Sequence, residues 1–155
     1  MSPSRVFVSY AHEDEKFRQE LLKHLRLIEK QGYVECWHDR EITAGAEWRG
    51  EIDQHLRDAD IILLLVSTDF VNSEYCYDIE MQMAIDAHKA SKSLTIPILV
   101  RPVANWEEAP FGELQALPTN TKPVSNWDYQ DAAWADVVAG ILNAVQRREQ
   151  EQISR

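Results

Sequence analysis

Glycine, cysteine and basic side chains are scarce in this 155-residue chain, and each scarcity closes off a class of function. The five glycines form neither a GxGxxG nor a GxxxxGK[ST] array, so the usual phosphate cradles of nucleotide-binding folds are not expected. Cys36 and Cys76 are the two cysteines, and both fall in core-type stretches. They read as small buried hydrophobes in a reducing compartment rather than as a disulfide framework. Sixteen Lys and Arg against 26 Asp and Glu leave a formal net charge of −10, which argues against binding a nucleic-acid backbone. The five histidines are scattered without metal-ligand spacing, so a metal site is not expected. No apolar run approaches the roughly 20 residues of a bilayer-crossing helix. The opening Met-Ser-Pro-Ser leads straight into a strand-like run, with no secretory signal, so a soluble cytoplasmic protein is expected.

What is present is an ordinary globular balance, 45% hydrophobic and 27% charged, in a length suited to one domain. Arg5–Tyr10 reads as a first strand. A polar turn with Asp14 as helix N-cap follows, and then a helix with Phe17, Leu21, Leu22, Leu25 and Ile28 at core spacing, stopped by Gly32. Tyr33–Trp37 is a second strand, Asp39–Glu47 a long polar loop, and Trp48, Ile52 and Leu56 mark one face of a second helix. Ile61–Val66 is a continuous apolar run, as expected of a strand covered on both faces. Leu94–Val100 is a fourth strand. Thr121–Ser125 is a weak fifth, its Pro123 suggesting an edge. The last helix carries Trp134, Val137, Val138, Ile141, Leu142 and Val145 on one face and fades into a charged tail from Arg147. The alternation predicts an α/β fold: a flavodoxin-like, doubly wound, five-stranded parallel sheet with helices on both faces. The domain is expected over residues 1–146, with 147–155 as the tail.

The most informative stretch runs from Asp60 to His88. After the strand, Asn72 or Ser73 can cap a helix whose Cys76, Ile79, Met83, Ala84 and Ala87 share an apolar arc, joined at its far side by Tyr77, Met81 and Ile85. Glu80 falls within that arc, near the strand's carboxyl end. A carboxylate there must be paired, hydrogen-bonded or placed at a cleft, so a structural ion pair and a functional site both remain open. Ligands of such sheets bind outside the carboxyl ends of the strands, where Ser9, Tyr10, Trp37, Asp39, Ser67 and Arg101 also fall. Other chemistries fit less well. Ser67 lacks a GxSxG elbow. The acids of a phosphoacceptor site, Glu13, Asp14 and Asp69, are displaced into turns where they serve more simply as caps.

Four segments together carry a family resemblance: Val-Phe-Val-Ser-Tyr at Val6–Tyr10; Trp37-His38-Asp39-Arg40-Glu41-Ile42-Thr43-Ala44-Gly45 leading into Trp48; the run from Leu64 to Glu80; and Ile-Pro-Ile-Leu-Val-Arg-Pro at Ile96–Pro102. In this order and spacing the chain resembles the TIR (Toll/interleukin receptor) domain family, particularly its bacterial members, from about Arg5 to Val145. The resemblance implies an NAD⁺ glycohydrolase or cyclase that breaks the nicotinamide–ribose bond, with NAD⁺ as substrate and no resident cofactor. Glu80 is then the implied catalytic residue, although it follows Tyr75 by five positions where many members have four. Ser9, Tyr10, Asp39, Arg40 and Thr43, with Gly45, Trp48, Ser67 and Tyr77, are implied to line the pocket. Where some members carry basic residues after the first strand, this chain has Ala11-His12, which leaves Arg40 or Arg5 to hold phosphates. Implied partners are other TIR domains, as a homo-oligomer or filament, in immune or stress signalling, with neither nucleic acid nor membrane. The alternative is a non-catalytic scaffold for homotypic association. Hydrolysis and cyclisation are left open.

Overall fold

The computed structural model describes residues 2–37 and 54–153. Its elements are β1 (Ser4–Ser9), α1 (Glu15–Lys30), β2 (Val34–Cys36), β3 (Ile61–Val66), α2 (Thr68–Asn72), a π-helical segment (Glu74–Glu80), α3 (Met81–Lys89), β4 (Leu94–Leu99) and α4 (Gln130–Ile153). The strands are all parallel and lie in the order β2-β1-β3-β4, with β1 in register Val6 to Ile61 against β3.

Burial explains the layering. All six residues of β3 are 0% exposed, because strand parity sends Ile61, Leu63 and Leu65 to one face and Ile62, Leu64 and Val66 to the other. The first face is covered by α1 and α4 through Leu21, Leu25, Trp134, Val137 and Ile141. The second is covered by α2, the π-helical segment and α3 through Phe70, Cys76, Met81, Ala84 and Ile85, together with Phe111. The end of α1 shows why the sequence turns there. Gly32 has φ 86°, its N–H donates to Glu29 O, and Tyr33 N–H reaches back to Ile28 O, which closes a Schellman motif.

Two expectations change. The sheet has four strands among the described residues, and Thr121–Ser125 is not one of them. Prolines at 118 and 123 remove donors, Asn120 and Thr121 adopt φ of 62° and 54°, and the chain passes through short 3-10 turns instead. Leu117 alone takes the fifth-strand place, in a single parallel bridge to Ile98. The charged segment expected as a tail is helical as far as Ile153, and Arg148 Nη1 donates to Asp60 O at 2.8 Å.

The outer edge of β4 is occupied, and that of β2 is occupied at one donor. On β4, Pro97 has no N–H, Leu117 exchanges bonds with Leu99 N and Pro97 O at 2.8 and 2.9 Å, and Thr95 N–H donates to His88 Nδ1 at 3.1 Å. On β2, Cys36 N–H donates to Glu29 Oε2 at 3.0 Å. The Cys36 thiol is itself pushed up to about 12, by burial first and by the Glu29 charge second.

Two outcomes follow. Cys36 should resist a thiol reagent at pH 8 while the protein is folded and react once it is denatured, as measured by labelling with and without denaturant. His88 is held below the ordinary histidine value by burial, and its Nδ1 must stay unprotonated to accept from Thr95. The unfolded chain therefore takes up the proton first, and the stability from this bond is lost as pH falls below about 6.5. Denaturation midpoints at pH 7.5 and 5.5 should fall less in His88→Asn, whose side-chain oxygen can keep the bond, than in the parent.

Candidate functional site

Ser9 ends β1 and Ser67 follows β3, so the sheet delivers two hydroxyls to its carboxyl edge, and both residues are 0% exposed. Strand parity puts Ser9 on the same face as Phe7, towards the π-helical segment. It sends the Tyr10 ring to the α1 face. The π-helical segment begins under a side-chain cap, with Ser73 Oγ accepting from Cys76 N–H at 3.2 Å. At its end Met81 N–H bonds back to Cys76 O, five residues earlier, the signature of the wider turn.

That wider turn shifts the buried face. Ile79 and Met83, placed in the apolar arc by regular helical spacing, are only half-buried. Glu80, Met81, Ala84 and Ile85 take the inner positions. Glu80 is thus wholly buried at 0% exposure, and Ser9 Oγ donates to its Oε1 at 2.6 Å. Cys76 Sγ–H donates to Tyr10 O at 3.1 Å. Two side-chain bonds therefore tie the end of β1 to this turn. A hydroxyl donor of this kind meets the requirement that a buried carboxylate be hydrogen-bonded.

A second polar cluster stands beside it. Ser67 Oγ accepts from Phe70 N–H at 3.1 Å, capping α2, and donates to Asp14 Oδ2. Arg101, just after β4, donates to Asp69 and lies 3.1 Å from Asp14 Oδ1. That second contact is ionic rather than an aligned hydrogen bond. The bond to Asp69 pushes the guanidinium still higher than its ordinary value, burial opposes this, and the Asp14 charge adds to it. Asp14 is 1% exposed while the Arg101 and Asp69 side chains are part-exposed, so the cluster runs from the core out to the surface. Across the same layer the Trp37 ring stacks on Phe7 at 5.8 Å and on His55 at 3.8 Å, with a 9° angle to the latter.

Of the residues expected at the site, the structure brings Ser9 and Glu80 into direct contact. Tyr77 is half-buried against the apolar cluster that holds Phe7, Cys76 and Met81. Ser67 is engaged with Asp14 and the α2 backbone. The Tyr10 ring faces away, bonded through its hydroxyl to Glu15 and lying 5.3 Å under the Arg18 guanidinium. Burial would raise the Glu15 pKa, but the Tyr10 hydroxyl, the Arg18 guanidinium and the Gln19 amide together outweigh it and hold the carboxyl below its ordinary value. Asp39, Arg40, Thr43, Gly45 and Trp48 lie outside the described residues, as does the Tyr75 side chain. Arg5 cannot serve as a phosphate holder beside Glu80. It sits near the amino end of β1, about 13 Å of extended strand from Ser9, and pairs with Asp60 at 3.8 Å.

Sequence reasoning missed the part played by Asp14 and Arg101. Asp14 was expected to cap α1, but its side chain makes no capping bond and turns inward to Ser67 and Arg101 instead. The signal was Arg101. A cation ending an apolar strand at a sheet's carboxyl edge needs carboxylates, and the segments after β3 and β1 supply Asp69 and Asp14. Chemically, the Glu80 carboxylate can accept bonds from hydroxyls and stabilise a developing positive charge.

Among the described residues no helix is long and apolar enough to cross a membrane. The family model for the TIR domain matches residues 6–144. A protein of Sinorhizobium fredii (strain NBRC 101917 / NGR234), named uncharacterized protein y4lF, is 46% identical over 142 residues, which cover 92% of this chain. The matched region spans 44% of that relative's length. The segments that carry the motifs, the parallel sheet with helices on both faces and the match over most of the length agree, and the chain belongs to the TIR domain family.

Proposed function

We propose that this TIR domain cleaves NAD⁺ at the nicotinamide–ribose bond, with Glu80 as the catalytic carboxylate. The observation that carries the reading is a wholly buried glutamate, hydrogen-bonded by Ser9 at the carboxyl edge of the sheet. In the reaction the C–N bond breaks and its electron pair stays with nicotinamide, which leaves as a neutral base. Positive charge then develops on the ribose, as in glycoside cleavage. A carboxylate against the ribose hydroxyls stabilises that charge, and more strongly in a dry site than in water. Water attacks the anomeric carbon and loses its proton to give ADP-ribose, or an adenine or ribose atom of the same molecule closes a ring. Ser9 is the positioning residue. It fixes the carboxylate's orientation through its hydroxyl. Because Glu80 is fully covered here, substrate entry has to uncover it. The same reading gives other TIR domains as partners, with assembled copies as the signalling form.

One observation favours a second reading. The Ser9–Glu80 and Cys76–Tyr10 contacts also suffice as structural ties between β1 and the π-helical turn, which a non-catalytic TIR scaffold for homotypic association would use equally well.

Nicotinamide release from NAD⁺ by protein crowded on beads separates the two. The parent should be active, and Glu80→Gln, which keeps the shape, should lose about 10²-fold or more in kcat while its thermal unfolding stays cooperative. Equal activity in the two proteins removes Glu80 from the chemistry, and inactivity of both favours the scaffold. Ser9→Ala should lower kcat more than it raises KM, and Ser9→Thr should recover part of the loss by restoring the hydroxyl. A change in KM alone would make Ser9 a substrate contact rather than a support for Glu80.

A further inference from the structure

α1 and α4 lie side by side on the sheet face opposite to Glu80, and their outer surfaces bring three metal-ligating side chains together. Glu20 and His24 are one helical turn apart on α1, so they project from the same face. Asp131 stands in the first turn of α4. One ligand atom from each can be chosen so that all three lie within 4.8 Å of one another. The closest pair, His24 Nε2 and Asp131 Oδ1, is 3.3 Å apart. That separation equals the edge of a tetrahedron drawn about an ion with bonds of roughly 2.0–2.1 Å, the length of zinc–imidazole and zinc–carboxylate bonds.

We propose that Glu20, His24 and Asp131 form a site for a zinc-class divalent cation that staples α1 to α4. The donor set selects the class. One imidazole nitrogen with two carboxylates suits zinc, cobalt or nickel, whereas magnesium and calcium call for oxygen cages. Three protein ligands leave the fourth tetrahedral position to water. The remaining movement needed is side-chain rotation, and the groups are free to make it. The Asp131 side chain is 91% exposed, and Glu20 and His24 are each part-exposed. Lys23 competes for Glu20, to which it donates at 3.3 Å, but that contact is an exposed i,i+3 pair and yields at little cost. The His24–Asp131 contact serves as an ordinary polar contact without metal. With metal, the ion takes the place between the two groups, which requires a neutral imidazole, so affinity falls with acidification.

The test is zinc titration of the whole chain, free of tags and chelators, followed by calorimetry and thermal unfolding. Cobalt serves as an absorbing probe of tetrahedral geometry. Zinc at about tenfold above its dissociation constant should raise the melting temperature by roughly 3–6 °C, and magnesium should not. Cobalt should give the visible band of a four-coordinate ion. His24→Gln, Glu20→Gln and Asp131→Asn should each weaken zinc at least tenfold, read against each variant's own metal-free melting temperature. Glu80→Gln should leave the response intact, because Glu80 lies in the other layer. Absence of binding by the parent overturns the proposal. So does binding that all three substitutions leave unchanged, which would put the ion on other groups.

Discussion

Ile61–Val66 has to be covered on both sides, and the rest of the fold follows from satisfying that demand. Each side chain removed from water there contributes on the order of 1.5–3 kcal/mol, and neither face can be left open without forfeiting about half of it. β1 and β4 pair with β3 on either flank. α1 and α4 close one face, and α2, the π-helical segment and α3 close the other. An apolar strand of this kind offers nowhere to put a polar group along its length. Polar side chains collect at its carboxyl end, where the chain leaves the sheet.

That collection is why the site is as it is. Ser9, Ser67, Asp14 and Glu80 are all buried there, and each has a partner: hydroxyl with carboxylate in both cases, and Arg101 against the remaining charge. A hydroxyl is the least costly way to satisfy a buried carboxylate without cancelling its charge, whereas a guanidinium beside it largely does cancel it. Asp14 has both kinds of partner. Glu80 is hydrogen-bonded by the Ser9 hydroxyl, and it is the carboxylate to which the proposed charge-stabilising chemistry attaches.

Much of this was legible in the residues. The six-residue apolar run, the helical spacing of Leu21, Leu25 and Ile28, and the stop at Gly32 are local signals backed by the tertiary structure. The inward place of Glu80 was legible too, because its neighbours in the wheel are apolar. Three features were not. The weak fifth strand failed because Pro118, Pro123 and two left-handed residues outweigh the β propensity of Thr121 and Val124. The π-helical turn was invisible, since a wheel drawn at a constant angle cannot register a locally wider one, and it therefore misplaced Ile79 and Met83. The inward turn of Asp14 depended on Arg101, 87 positions away in sequence, and a local capping rule cannot include so distant a partner.

The occupied edge of β4 constrains how copies of this domain can meet. A parallel sheet with bare outer strands invites another chain to add itself by main-chain pairing, the route to runaway aggregation. Here Pro97, Leu117 and the His88 ring take the outward positions of β4, and the Glu29 carboxylate takes a donor of β2. Along β4 the main chain has few groups left to offer a neighbour. Stacking of such domains across the β4 edge therefore has to be built from side-chain surfaces, whose fit can be tuned residue by residue and reversed, rather than from a continuous backbone ladder that would be hard to take apart.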